Sequence, residues 1–259
     1  MPIRTVECDT WAEFKIEIFA QLYGTGPFRR GLFLFRGQRS YDWKLESSFD
    51  RWFNGQKKKE SLRVETAKKL LDFFRREVED FRRDIKVPID EFGLLALGQH
   101  YGLPTRLLDW SESPYIAAFF AFLEAALEAP VEEISSDRVA IVALDTQNYL
   151  FGADRGIEVI SIPRIDNPRL RNQVGRFTHA RASFSSIEQY IDFEEGNGNE
   201  VTSDYPLVKF TIPDTEAEIA LAELDGMGIN PAFIYPDLSG CATAAKLMSR
   251  IVNLYAGTR

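Results

Sequence analysis

Cysteine and histidine are scarce: the chain has two of each. Cys8 and Cys241 lie far apart and lack metal-ligand spacing, so a Cys/His zinc centre has too few ligands and no metal is expected. The low cysteine use suits a reducing compartment. Excess basic charge is also missing. The formal net charge is -8, which counts against a broad basic face for duplex nucleic acid and leaves room only for a local patch. No apolar run approaches the roughly 20 residues that cross a bilayer. The longest, Tyr115 to Leu123, is short and bounded by polar residues, and Met1 to Asp9 lacks a basic segment followed by an apolar one. The expectation is a cytoplasmic protein without a membrane partner. The Walker and dinucleotide glycine loops, the nucleophile elbow and H-E-x-x-H are all absent.

What is there is a globular composition, with 259 residues, 45% hydrophobic and 27% charged. That is long enough to bury a sizeable core. No repeat or low-complexity linker suggests a cut, so one domain over 1–259 is expected. Helices are read at Asp9 to Leu22, capped by Asp9 or Thr10, at Glu60 to Ile85, at Phe92 to Leu97 and from Ser113-Pro114 onward. Two more follow, one from Asp214 to about Leu224 and one to about Tyr255. Strands are read at Leu32 to Phe35, Arg138 to Asp145, Ile157 to Ile162, Leu207 to Ile212 and Pro231 to Tyr235. Asn167-Pro168 opens a short helix or turn. Ser40 to Phe49 and Glu128 to Asp137 read as loops, and Glu194 to Ser203 as a hairpin or mobile loop. Without regular βαβ alternation the pattern favours α+β, a mixed or antiparallel sheet flanked by helices, over a doubly wound sheet.

Three segments concentrate polar chemistry. The first is Phe35-Arg36-Gly37-Gln38. An arginine ending an apolar strand is costly to bury unless paired. Arg36 is either a strut for an internal acid such as Asp109 or a fork for phosphate or carboxylate. Gly37 allows a close approach or a sharp turn. The second is Gln99 to Trp110, where Gln99, His100, Tyr101, Thr105, Arg106, Asp109 and Trp110 crowd around Gly102 and Pro104. So many polar groups beside an apolar helix must each be satisfied or used. His100 suits acid/base work or hydrogen bonding, or is simply structural. Asp109 suits orienting Arg36, Arg106 or His100. The third is Gln173-Val174-Gly175-Arg176-Phe177-Thr178-His179, read as a pocket edge or a surface turn. Basic pairs at 68–69, 75–76 and 82–83 share one helix face. They read as a phosphate-binding ridge or, with Glu65, Asp72 and Glu79 just before them, as a solvated ion-paired surface.

These segments together resemble the FRG domain. The matching residues are Leu-Phe-Leu-Phe-Arg-Gly-Gln ending at Gln38, the Gln99 to Pro114 run, the Ala/Phe-rich helix after it, and Asn172-Gln173-x-Gly175-x-Phe177. The resemblance runs from about Trp11 to Leu238, with its motifs at about 32–180. A second resemblance, to ADP-ribosyltransferases of the Arg-Ser-Glu type, implies an NAD cofactor. In it Arg36 holds the NAD phosphate or ribose, and Thr105 or Ser111 takes the strand-serine position. His100 and Tyr101 contact nicotinamide or ribose, and Gln173 stands where the catalytic glutamate is expected. A glutamine supplies no carboxylate for the ribosyl cation, which leaves Asp109 as the candidate acid.

The expected catalytic set is therefore Arg36, His100, Thr105, Asp109 and Gln173. Gly37, Gln38, Gln99, Tyr101, Arg106, Trp110, Ser111 and Phe177 are the expected ligand contacts. The expected function is an NAD-consuming ADP-ribosyltransferase or glycohydrolase of toxin or anti-phage type. It takes a small-molecule nucleotide, and the sequence leaves the acceptor, protein or nucleic acid, unspecified. The alternatives are a non-catalytic module sensing a nucleotide or phosphorylated ligand, and a nucleic-acid-binding or -processing protein.

Overall fold

The computed structural model describes residues 3–79, 90–127, 136–162, 168–197 and 205–256. In chain order it holds β1 (Ile3–Glu7), α1 (Trp11–Tyr23), β2 (Phe33–Gln38), α2 (Ser48–Gly55), α3 (Arg63–Glu79), α4 (Glu91–His100), β3 (Leu107–Ser111), α5 (Pro114–Leu127) and β4 (Arg138–Asp145). Then come β5 (Ile157–Ile160), α6 (Pro168–Asn172), β6 (Gly175–Ala180), α7 (Ile187–Gly196), β7 (Leu207–Pro213), α8 (Ala217–Gly226), α9 (Pro231–Ile234) and α10 (Leu238–Ala256). Caps set the starts where the sequence offers them. Thr10 Oγ1 accepts from the Glu13 amide at 3.1 Å, so Thr10 rather than Asp9 starts α1. Proline at the first position opens α5.

The strands form one mixed sheet in the order β1-β7-β4-β2-β3-β6-β5, with β1 and β7 parallel and the other neighbours antiparallel. The class is α+β. The join in the middle is uneven. β2 runs six register pairs along β4, from Phe33 to Gln38, but meets β3 in the single pair Phe35↔Ser111. A seam therefore opens between β2 and β3 beyond Phe35.

Side-chain alternation assigns the faces. On one face the core crosses the seam without a break: Leu34 and Val142 pack in one cluster with Leu108, Trp110 and Ile157 under α7. On the other face it is divided. Phe35, Ile141, Ala143 and Phe210 pack under α1, α5 and α8. Leu107, Ile160 and Phe177 pack under α3 and α4 in a separate cluster. Asp109 and Ser111 point into the division.

Several elements depart from the sequence reading. Pro231–Ile234 is a helix turn and not a strand, because Asn230 caps it through the Phe233 amide at 2.9 Å. The polar segment after Glu194 continues α7 as far as Gly196, and 198–203 lies outside the described residues. β2 runs on through Arg36, Gly37 and Gln38. Gln99 and His100 close α4, so that helix runs past the Phe92 to Leu97 span read from sequence. Residues 175–180 are strand β6 and not a surface turn. The long helix begins with a 3-10 turn at Glu60–Leu62 and is described to Glu79, so Arg82-Arg83 and Ile85 lie outside the described residues, as does most of the 128–137 loop. Lys69 pairs with Glu65 at 2.6 Å and Arg75 with Asp72 at 3.4 Å, which fits the ion-paired reading of that face. Among the described residues no helix is long and apolar enough to cross a membrane.

Candidate functional site

The divided face carries a linked polar arrangement, and the end of α4 builds it. Gly102 has φ 88° and follows the cap residue Tyr101. Its amide donates to the Gln99 carbonyl at 3.0 Å, and the Leu103 amide donates to the Gly98 carbonyl at 2.8 Å. This pair of bonds with a left-handed glycine is a Schellman ending. It turns the chain back so that Thr105 meets Gln99. Thr105 Oγ1 donates to Gln99 Oε1 at 2.5 Å, and Gln99 Nε2 donates to both Asp109 carboxylate oxygens at 2.8 Å. The result is an oriented chain, Thr105 to Gln99 to Asp109.

Asp109 is open to solvent yet closely surrounded by protein. Burial pushes its carboxyl above the usual range, and the nearby Arg36 charge opposes the shift. Arg36 starts from the other face, paired with Val142, and reaches into the seam. Its Nη1 donates to the Asp109 carbonyl at 2.8 Å, while its Nε is buried with no hydrogen-bond partner among the described residues. Burial disfavours the guanidinium charge, and Asp109 and Glu124 act in its favour. Glu124 on α5 and Tyr235 after α9 were not singled out from sequence. Glu124 also raises the Tyr235 hydroxyl, behind burial as the main cause. Spacing offers no signal for Glu124, since α5 is otherwise an apolar helix.

The remaining candidates are dispersed. Gly37 serves packing: a Cβ there would lie 1.9 Å from the Ala117 carbonyl oxygen of α5. Gln38 is buried and donates to the Lys44 carbonyl at 3.2 Å. His100 and Tyr101 sit exposed, ring to ring at 5.1 Å. Arg106 is enclosed, donating to the carbonyls of Ala182 and Phe184 at 2.6 Å and lying 3.4 Å from Asp50. Trp110 is inside the continuous core, its indole donating to Thr178 Oγ1 at 3.0 Å. Phe177 packs beside Leu107. Ser111 Oγ donates to the Gln173 carbonyl at 2.7 Å, so those two meet through the Gln173 backbone. Val174 beside it has φ 49°, a strained conformation for a β-branched residue. Glu112 bridges the two sides of the seam, bound to Arg30 at 2.6 Å and Arg176 at 2.7 Å.

A cavity of about 300 Å³ lies beyond Thr105, between α3 and α4 and not over Asp109. Thr105 borders it as well as belonging to the Gln99–Asp109 chain.

No curated protein and no solved structure matches this chain. The family model of the FRG domain matches residues 31–129. That span contains β2, α2, α3, α4, β3 and α5, so it covers both sides of the seam and every residue of the Thr105–Gln99–Asp109–Arg36 arrangement, while Gln173 and Phe177 fall outside it. The chain carries an FRG domain.

Proposed function

We propose that the seam binds a dinucleotide such as NAD and acts at its nicotinamide N-glycosidic bond. The observation that carries this reading is the Asp109 carboxylate, aimed by Gln99 and Thr105 and set beside Arg36 with its unused Nε–H. Arg36 would contact the pyrophosphate through its fork. Asp109 would face the ribose. The C1′–N bond breaks with its electron pair leaving on nicotinamide, water or an acceptor nucleophile adds to C1′, and the nucleophile's proton is released. The carboxylate stabilises the positive ribose that develops between those events. The positively charged nicotinamide ring favours the ionised form of Asp109, countering the shift that burial imposes.

A second reading is favoured by the same geometry. Gln99 already occupies both Asp109 oxygens, and a glutamine stands at 173. Both fit a module that binds a nucleotide and signals its presence. The test is incubation with NAD, mass spectrometry of released nicotinamide, and thermal shift, comparing wild type with Arg36→Lys and Asp109→Asn. Nicotinamide release that both variants lose supports the enzyme. A thermal shift without release supports the sensor. Absence of both nicotinamide release and a thermal shift sinks the NAD reading.

A further inference from the structure

The loop and helix that follow β2 run against the acidic balance of the chain. Lys44, Arg51, Lys57, Lys58 and Lys59 are all exposed, and among the described residues none has an ion pair. The acids around them are engaged elsewhere. Asp50 is buried against Arg63, and Glu60 bonds the same guanidinium. Asp42 acts on Lys209. Burial lifts the Glu46 carboxyl above its usual range, against the pull of Lys44 and Arg51. Aromatic side chains are interleaved with the cations. Trp43 is 42% exposed beside Lys44, and Lys58 Nζ lies 5.5 Å from the centre of the Trp52 ring. Lys57 has φ 53°, a left-handed turn after α2 that folds Lys58 back over the helix. This surface adjoins the seam. The Phe49 amide donates to the Thr105 carbonyl at 3.2 Å, and the Thr105 amide donates to Ser48 Oγ at 3.2 Å. Those bonds hold the start of α2 at the end of the seam away from Phe35. Arg51, further along α2, is close enough to oppose the Arg36 charge.

We propose that the surface formed by residues 43–59 binds single-stranded nucleic acid and leads it past the seam. Unpaired cations follow the phosphates, and indole faces accept bases whatever the sequence. A duplex hides its base faces. It also asks for a broader basic face than this one, on a chain of formal net charge -8. An acidic peptide would satisfy the lysines and leave Trp43 and Trp52 without a role. The surface differs in kind from the ridge on α3, where Lys69 and Arg75 are paired with Glu65 and Asp72. The inference goes beyond the NAD reading and does not require it.

The probe is a fluorescein-labelled oligothymidine of about 12 nucleotides, titrated with the whole chain and followed by anisotropy. A dissociation constant on the order of 10 µM is expected at low salt. With about four phosphates neutralised, the logarithm of the affinity should fall against the logarithm of salt concentration with a slope of about -3. A duplex of the same length and a polyglutamate peptide are expected to compete at least about ten-fold more weakly. Replacing Lys57, Lys58 and Lys59 together by alanine should weaken binding about ten-fold and bring the slope to about -1. Trp43→Ala should weaken it about five-fold, through lost base stacking. Lys69→Ala with Arg75→Ala, on the paired ridge, should leave it unchanged. All these positions are exposed, and an unchanged urea midpoint shows that each variant is folded. No binding at low salt overturns the proposal. So does a polyglutamate response as strong as that of the strand, a Trp43→Ala variant that binds like wild type, or an equal loss from the ridge variant. The readout uses no NAD, so its failure is distinct from failure of the NAD reading.

Discussion

Gly37→Ala tests whether the Phe-Arg-Gly glycine is there for packing. The added Cβ would meet the Ala117 carbonyl oxygen at 1.9 Å and the Ala121 nitrogen at 2.8 Å, both backbone atoms of α5. No rotamer relieves a clash with backbone. Restoring an ordinary carbon–oxygen separation of about 3.3 Å means that β2 and α5 part by about 1.4 Å. The same helix buries Ile116, Ala118, Phe119 and Phe122 against the sheet. A gap of that size forfeits a large share of their dispersion contacts. Overpacking of this kind costs about 3 kcal/mol, against a gain of about 0.4–1 kcal/mol from stiffening the unfolded chain. The net loss is about 2–3 kcal/mol. Urea denaturation followed by circular dichroism reads it: with an m value of about 3 kcal/mol/M, the midpoint falls by close to 1 M. Gly55→Ala is the control, since nothing lies within 4 Å of its Cβ position. If Gly37→Ala unfolds at the wild-type midpoint, the packing account is wrong and the glycine is free to serve a ligand.

Three further outcomes are expected. Arg63 is 1% exposed, bonded to Asp50 at 2.8 Å and to Asn54 at 2.7 Å, and lies over the Phe53 ring. Arg63→Ala should therefore cost about 3–5 kcal/mol in urea, partly recovered by adding Asp50→Asn; a loss below about 1 kcal/mol would refute the pairing. Cys8 is fully buried with its thiol pushed up to about 12, whereas Cys241 is exposed. A thiol reagent at pH 8 should titrate one group in the native protein and two in denaturant, and two native equivalents would contradict the burial. Burial, assisted by Arg106 and Arg181, lowers the folded pKa of His179 to about 4 from 6.5. The unfolded chain then takes up a proton first as pH falls, so this contribution is complete above pH 6.5 and is lost toward pH 4, amounting to up to about 3 kcal/mol. The stability difference between wild type and His179→Gln should shrink across that window. An NMR titration midpoint near 6.5 would rule the shift out.

The elements that the sequence discloses are those with a strong local signal. The Thr10 cap, the Ser113-Pro114 start and the apolar Arg138–Asp145 strand all appear as read. The misread ones lack such a signal. β1 is an edge strand with mostly polar residues facing outward. β6 mixes Arg176, Thr178 and His179 with apolar residues because its register against β3 decides which of them are buried. Pro231–Ile234 is too short for periodicity to distinguish a helix turn from a strand. At the site, Arg36, Gln99, Thr105 and Asp109 were legible as an unusual polar concentration. Their roles were not, because the Gln99–Asp109 bonds depend on the turn at Gly102, and Glu124 reaches Arg36 only through the tertiary placement of α5.

The single Phe35↔Ser111 pair joins the two halves of the sheet like the leaves of a book. The unbroken core beneath Leu34 and Trp110 is the binding of the book, and the divided face is its open edge. Across that join Arg36 Nη1 donates to the Asp109 carbonyl, so beyond Phe35 the two halves of the sheet are tied by a side chain and not by a strand ladder. Glu112, tied to Arg30 on one leaf and Arg176 on the other, is a second strap across the join.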